Sequence, residues 1–152
     1  MDQGTEHKKE IFGMIFLLAQ RWQNLGDQEL AEIGITTKQW FLLVTLNIFF
    51  KEPPTLNQLA EVMGSSRQNV KQLASNLQKS GFVEIFQDVT DKRTLRFRLT
   101  RKNVEVWEPR AKRDEEYISS LFGEVSLQDI ITTRKTIEQL VAISGDLLKG
   151  KS

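Results

Sequence analysis

The sequence predicts a mainly α-helical chain with one small β-hairpin. Three observations carry that expectation. Apolar residues recur at helical spacing through most of the chain, and Ser/Thr-x-x-Gln boxes open several of those stretches. Short β-type segments occur in one place only, around Phe82–Gln87 and Thr94–Leu99.

The elements follow in order. Ile11, Met14, Ile15, Leu18, Trp22 and Leu25 fall on one helical face, which predicts a helix over residues 7–25 closed by Gly26. Thr36 and Gln39 form a capping box for a second, largely buried helix that runs to about Phe50, before Pro53-Pro54. Thr55 and Gln58 form another box, opening a short helix that Gly64 stops. Ser65 and Gln68 predict a third box and a helix from Ser66 to about Lys79, with Val70, Leu73, Ala74 and Leu77 inward and Gly81 at its end.

Two strands then flank the polar connection "DVTDKR". In the second strand Leu95, Phe97 and Leu99 alternate with Arg96 and Arg98, so one face is apolar and the other cationic. Thr100 is placed to cap a further helix running through Val104, Trp107 and Ala111 to Phe122. Gly123 and Ser126 mark a break, and a last helix carries Ile130, Ile137, Leu140, Val141, Leu147 and Leu148.

Composition removes whole classes of chemistry. The chain has 152 residues and no cysteine, so disulfides, thiolate metal sites and cysteine-based redox sensing are excluded. Its one histidine, His7, lies in a polar N-terminal stretch and gives a His-based triad or zinc site nothing to build on. No phosphate-binding glycine motif is present, and neither an enzyme nor a bound cofactor or metal is expected. "MDQGTEHKKE" has no apolar core for a signal peptide, and "FLLVTLNIFF" is about half the length a membrane span needs. The expected location is the cytoplasm.

Charge is informative once divided. The chain is +1 overall, but Thr55 to Arg101 holds eight cations against four anions, net +4, while the remainder holds thirteen against sixteen, net −3. A basic middle between acidic flanks is a polyanion binder's footprint.

Helix, turn, helix and basic hairpin, in that order, make a winged helix-turn-helix, here expected over residues 36–100. The second short helix would enter a major groove, where Arg suits guanine and Asn or Gln suits adenine. It offers Arg67, Gln68, Asn69, Lys71, Gln72 and Asn76, with Ser65 and Ser66 placed to help hold a phosphate at its N-terminus. At the hairpin tip Lys92 and Arg93 would reach a minor groove, with Asp91 orienting Arg93. Arg96 and Arg98 would lie along phosphates, or else neutralise neighbouring acidic helices. The alternative is a winged helix used for protein contacts, without specific DNA binding.

These segments resemble the MarR family of bacterial transcriptional regulators. "GITTKQWFLLVTL" is similar to the helix before that family's helix-turn-helix, "TLNQLAEVMGSSRQNVKQLASNLQKSGFVE" to its two DNA-binding helices, and "DKRTLRFRLT" to its wing, with the Asp-x-Arg pair at Asp91 and Arg93. The chain departs from the family at Phe86-Gln87, where a basic residue is common, and near Asn103, where a glycine usually opens the helix. The resemblance implies a homodimer on palindromic operator DNA, commonly acting as a repressor and often responding to a small molecule.

The flanking helices, residues 7–26 and 101–148, exceed what a bare winged helix needs. Their apolar stripes are expected to form a dimer interface including Phe12, Ile15, Ile137 and Val141. Phe12, Phe16, Trp22 and Trp40 are the candidates for a site taking a small aromatic or amphipathic effector.

Overall fold

The computed structural model describes residues 2–151. The chain forms two compact units, one ending at Arg110 and one beginning at Ala111.

In the first unit, α1 spans Gln3–Leu30 and a 3-10 turn, Ala31–Ile33, follows it. Gly26 does not end α1. It is buried inside the helix, and a Cβ there would meet Thr37 Oγ1 at 2.3 Å. The glycine permits a close helix crossing: Thr37 Oγ1 donates to Gln23 O (3.1 Å) and Thr37 N donates to Asp27 Oδ1 (2.7 Å). The chain reverses instead at Gly34, whose φ of 82° is left-handed.

Helix α2 (Thr37–Phe49) and helix α3 (Leu56–Met63) open with the capping boxes read from the sequence, Thr36 with Gln39 and Thr55 with Gln58. Thr45, inside the apolar run of α2, is fully buried and satisfied by donating to Phe41 O at 2.8 Å. Helix α4 spans Arg67–Lys79, and its cap is Ser66, not Ser65: Ser66 Oγ accepts from Asn69 N at 3.1 Å. Ser65 is used in the turn, where its amide donates to Ala60 O behind left-handed Gly64.

Strands β1 (Val83–Gln87) and β2 (Leu95–Leu99) form the antiparallel hairpin, with Glu84 opposite Arg98 and Phe86 opposite Arg96. Phe97 is fully buried, whereas Leu95 and Leu99 are half-buried against the same core. That core joins Leu42, Leu43 and Leu46 of α2 to Leu59, Val70, Leu77, Phe82 and Val83. Each fully buried aliphatic side chain contributes about 1.5–3 kcal/mol, so this cluster fixes α3 and α4 against the hairpin.

The segment after the hairpin is not one helix capped by Thr100. Helix α5 covers only Lys102–Trp107, its cap residue is Arg101, and no side chain caps it. A 3-10 turn at Glu108–Arg110 contains Pro109, which has no amide hydrogen to continue the α-helical ladder. Arg110 closes the unit by pairing with Glu29 at 3.2 Å and with Glu32.

In the second unit, α6 (Ala111–Phe122) and α7 (Leu127–Lys149) are separated at left-handed Gly123. Ser126 caps α7, accepting from Asp129 N at 3.1 Å. Among the described residues, no helix is long and apolar enough to cross a membrane.

Candidate nucleic-acid interface

Helix α4 is sharply two-sided. Val70, Ala74 and Leu77 are buried, while Arg67, Gln68, Asn69, Lys71, Gln72 and Asn76 are exposed. The i, i+4 spacing sets Gln68, Gln72 and Asn76 in one row, with Arg67 and Lys71 in the adjacent one. Residues 67–79 contain no Asp or Glu, so nothing within the helix neutralises that face. Ser66 is exposed at the N-terminus and Ser65 is half-buried in the turn.

The wing is organised by two aspartates. Asp88 Oδ2 accepts from Thr90 Oγ1 (2.7 Å), Thr90 N (3.1 Å) and Asp91 N (3.1 Å), and Asp88 Oδ1 accepts from Arg96 Nε (2.9 Å). The Thr90 hydroxyl, then the Asp91 amide and Arg96, hold the Asp88 carboxyl well below the usual carboxylate range. Asp91 Oδ1 accepts from Arg93 N at 3.0 Å and lies 3.5 Å from Arg93 Nε, so Asp91 fixes the Arg93 backbone more firmly than its guanidinium. The Arg93 side chain remains 94% exposed, and Lys92 is exposed beside it.

Arg96 and Arg98 pair within the hairpin rather than with acidic helices. Arg96 is bound to Asp88 and also donates Nη1–H to Pro53 O at 3.1 Å. Arg98 donates to its cross-strand neighbour Glu84 at 2.8 Å and lies over the Phe86 ring, 4.4 Å from its centroid. The cations left outward at the tip are Lys92 and Arg93. Asp88 was not singled out in the sequence, although its place six residues before Thr94 in a polar turn was visible.

Of the four aromatic candidates, three lie on α1 and Trp40 lies on α2. Phe12 and Phe16 meet edge-on at 5.1 Å on an exposed face of α1, and Trp22 is half-buried on the same helix. Trp40 instead lines an open cleft of about 800 Å³ with Leu43, Val44, Asn103, Val104 and Trp107. Trp107 and Asn103 are among the cleft residues to which the sequence alone did not point. Among the described residues, no cluster of three or more His, Cys, Asp or Glu could hold a metal ion.

A model of the MarR family matches residues 33–94, which contain α2, the α3–turn–α4 unit, β1 and the wing tip. Over that stretch the chain is similar to the MarR family. The transcriptional activatory protein BadR of Rhodopseudomonas palustris is 26% identical over 142 residues, covering 87% of this chain and 79% of BadR. A MarR mutant from E. coli, solved in complex with operator DNA, superposes with a TM-score of 0.75 at 18% identity, covering 92% of this chain and 99% of that one. The S. aureus MepR–DNA complex gives 0.71 at 20% identity, covering 88% and 96%. These likenesses fix the fold as the winged helix of MarR-type transcriptional regulators.

Proposed function

We propose that this protein is a MarR-family transcriptional regulator that binds duplex DNA sequence-specifically, as a homodimer on a palindromic operator. Helix α4 would occupy a major groove, with Arg67, Gln68, Asn69 and Gln72 reading base edges and Ser65, Ser66, Lys71 and Asn76 serving phosphates or flanking bases. Lys92 and Arg93 would enter the adjacent minor groove, with Asp91 holding Arg93 in place. One observation carries the reading: α4 presents an exposed row of amide side chains and cations without a single carboxylate, beside a hairpin whose outward tip is cationic. MarR and MepR, which share this fold, have each been solved with DNA.

The dimer is supported by apolar surface that the single chain leaves exposed. Phe12 and Val141 are 68% and 66% exposed, Ile15 and Ile137 nearly half. Side chains this large, repeated along α1 and along α7, are stabilised by a second copy. Two copies would present two α4 helices to half-sites about one DNA turn, ~34 Å, apart.

With an operator overlapping its promoter, such a dimer acts as a repressor by occlusion, and the site of the operator sets the sign; BadR is named an activatory protein. A small aromatic or amphipathic effector would relieve binding from the Trp40 cleft, where a candidate aromatic borders a cavity of about 800 Å³.

Anisotropy titrations with duplexes tiled across the DNA flanking the coding sequence test the reading. Specific binding that weakens steeply with salt supports it. Binding to no duplex, with a protein captured through the winged lobe instead, would establish the protein-contact alternative.

A further inference from the structure

Three consecutive carbonyls just beyond α4 are each taken by a side chain from one four-residue stretch. Lys102 Nζ donates to Ser80 O at 2.6 Å, Thr100 Oγ1 donates to Gly81 O, and Asn103 Nδ2 donates to Phe82 O at 2.7 Å. The backbone adds a fourth link, Thr100 N to Phe82 O at 3.1 Å. Such carbonyls have no partner within the helix, and a cation beside them also complements the helix dipole.

Asn103 is the centre of this arrangement. Among the described residues it is one of two buried polar ones, at 8% exposure. Its amide also donates to Thr100 O at 3.1 Å, and its Oδ1 accepts from Trp107 Nε1 at 3.3 Å. Trp107 packs on Phe82, with ring centroids 6.3 Å apart, and the Lys102 ammonium lies 4.7 Å from the Phe82 centroid. Gly81 takes a left-handed φ of 83°, so the chain can turn sharply from α4 into β1 under the Lys102 side chain.

We propose that Asn103 and Lys102 are positioning residues for α4: they fix where its C-terminal end sits, and through it the angle at which its polar face meets DNA. Neither touches nucleic acid. Because Asn103 and Trp107 also line the Trp40 cleft, Trp107 reports on the clamp from the cleft side. The inference rests on α4 being the DNA-reading helix.

A loosened clamp leaves Arg67, Gln68 and Gln72 in place but lets the helix that carries them tilt. Every position read by α4 is then affected together, whereas loss of one reading side chain affects one position. A merely structural role would lower the fraction of folded protein and leave base preference unchanged.

The experiment uses full-length wild type, Asn103→Ala and Lys102→Met on a randomised operator library at fixed salt, with Trp107 emission followed in a Trp22→Phe/Trp40→Phe background. Lys102 is exposed, so its variant folds even if loss of buried Asn103 proves damaging. Expected are an affinity loss of about ten-fold for Asn103→Ala, in the range for a lost buried hydrogen-bonding group, and a smaller one for Lys102→Met. Preference flattens at all α4-contacted positions, the salt slope is unchanged, and the shift of Trp107 emission on adding operator disappears in Asn103→Ala. Wild-type binding with unaltered preference in Lys102→Met and in any folded Asn103→Ala overturns the clamp and leaves DNA recognition standing. Failure of the wild type to bind any duplex overturns the DNA reading, and the clamp's role with it.

Discussion

Asp88 and Arg96 are joined at 2.9 Å across the base of the wing tip, and Arg96 extends that link to the Pro53 carbonyl at 3.1 Å. The loop before α3 and the turn of the hairpin are therefore held by one guanidinium. The basic charge of the wing divides into arginines that build it and an exposed tip, Lys92 and Arg93, of which Arg93 is paired with Asp91.

This gives a pH prediction. Asp88 is held below the ordinary carboxylate range only while the Thr90 hydroxyl, the Asp91 amide and Arg96 surround it. Protons therefore bind better to the disordered wing. Its order is fully supported above the ordinary value, about 3.9, and drains away as pH falls toward Asp88's own depressed value. Amide exchange at Thr90 and Asp91 should speed up on acidification below about pH 4, after correction for intrinsic exchange. In Asp88→Asn these amides should exchange fast even at neutral pH, while those of α4 stay protected. Unchanged protection in the variant would remove Asp88 as the organiser.

Gly26→Ala should destabilise the chain, against the ordinary helix preference. Alanine gains up to about 1 kcal/mol in a helix interior, but its Cβ would stand 2.3 Å from Thr37 Oγ1. Overpacking of that kind costs about 1–3 kcal/mol, so the net effect should be a lowered urea midpoint. In a Thr37→Ala background the penalty should shrink, because the clashing oxygen is gone. Equal penalties in both backgrounds would mean that the crossing is not what requires glycine.

The same position shows where sequence reading stops. Thr36 with Gln39 and Thr55 with Gln58 were legible because each box is made by residues three apart. Gly26 looked like a helix stop because its reason lies eleven residues later, in Thr37. Two adjacent serines both suited the cap of α4, and the choice of Ser66 follows from the turn that consumes Ser65. Arg98 was legible as a cationic strand residue, but its partner Glu84 depends on the register of the hairpin. The exposed face of α4 was legible almost entirely, whereas the clamp of Thr100, Lys102 and Asn103 joins segments about twenty residues apart and has no local pattern.

Charge placed in the apolar stripe of α7 should split the proposed dimer. Val141→Glu, at a position 66% exposed in the single chain, should cost the monomer little. In a desolvated interface an unpaired carboxylate is strongly unfavourable. Light scattering at micromolar concentration should show a halved mass, and operator affinity should fall because two half-sites are no longer engaged together. A wild type that is monomeric and binds its operator fully would end the dimer reading.

Arg67 and Arg93 should differ in kind when removed, because they would face different grooves. A major-groove arginine held bidentately to guanine contributes about 1–3 kcal/mol of discrimination at one position. Arg67→Ala should relax preference there and leave neighbouring positions alone. The minor groove separates mainly A·T from G·C and is read by width and potential, and Arg93 is an almost fully exposed side chain held by Asp91 chiefly at its backbone. Arg93→Ala should therefore lower affinity at every sequence, with little change in base preference and a salt slope shallower by about 1. Asp91→Ala should reproduce a weaker form of this loss, since the guanidinium remains but its backbone support is gone. Binding measured on an operator library at several salt concentrations separates the two patterns. Full operator affinity in Arg93→Ala would show that the wing tip does not touch DNA, and its charge would then need another partner.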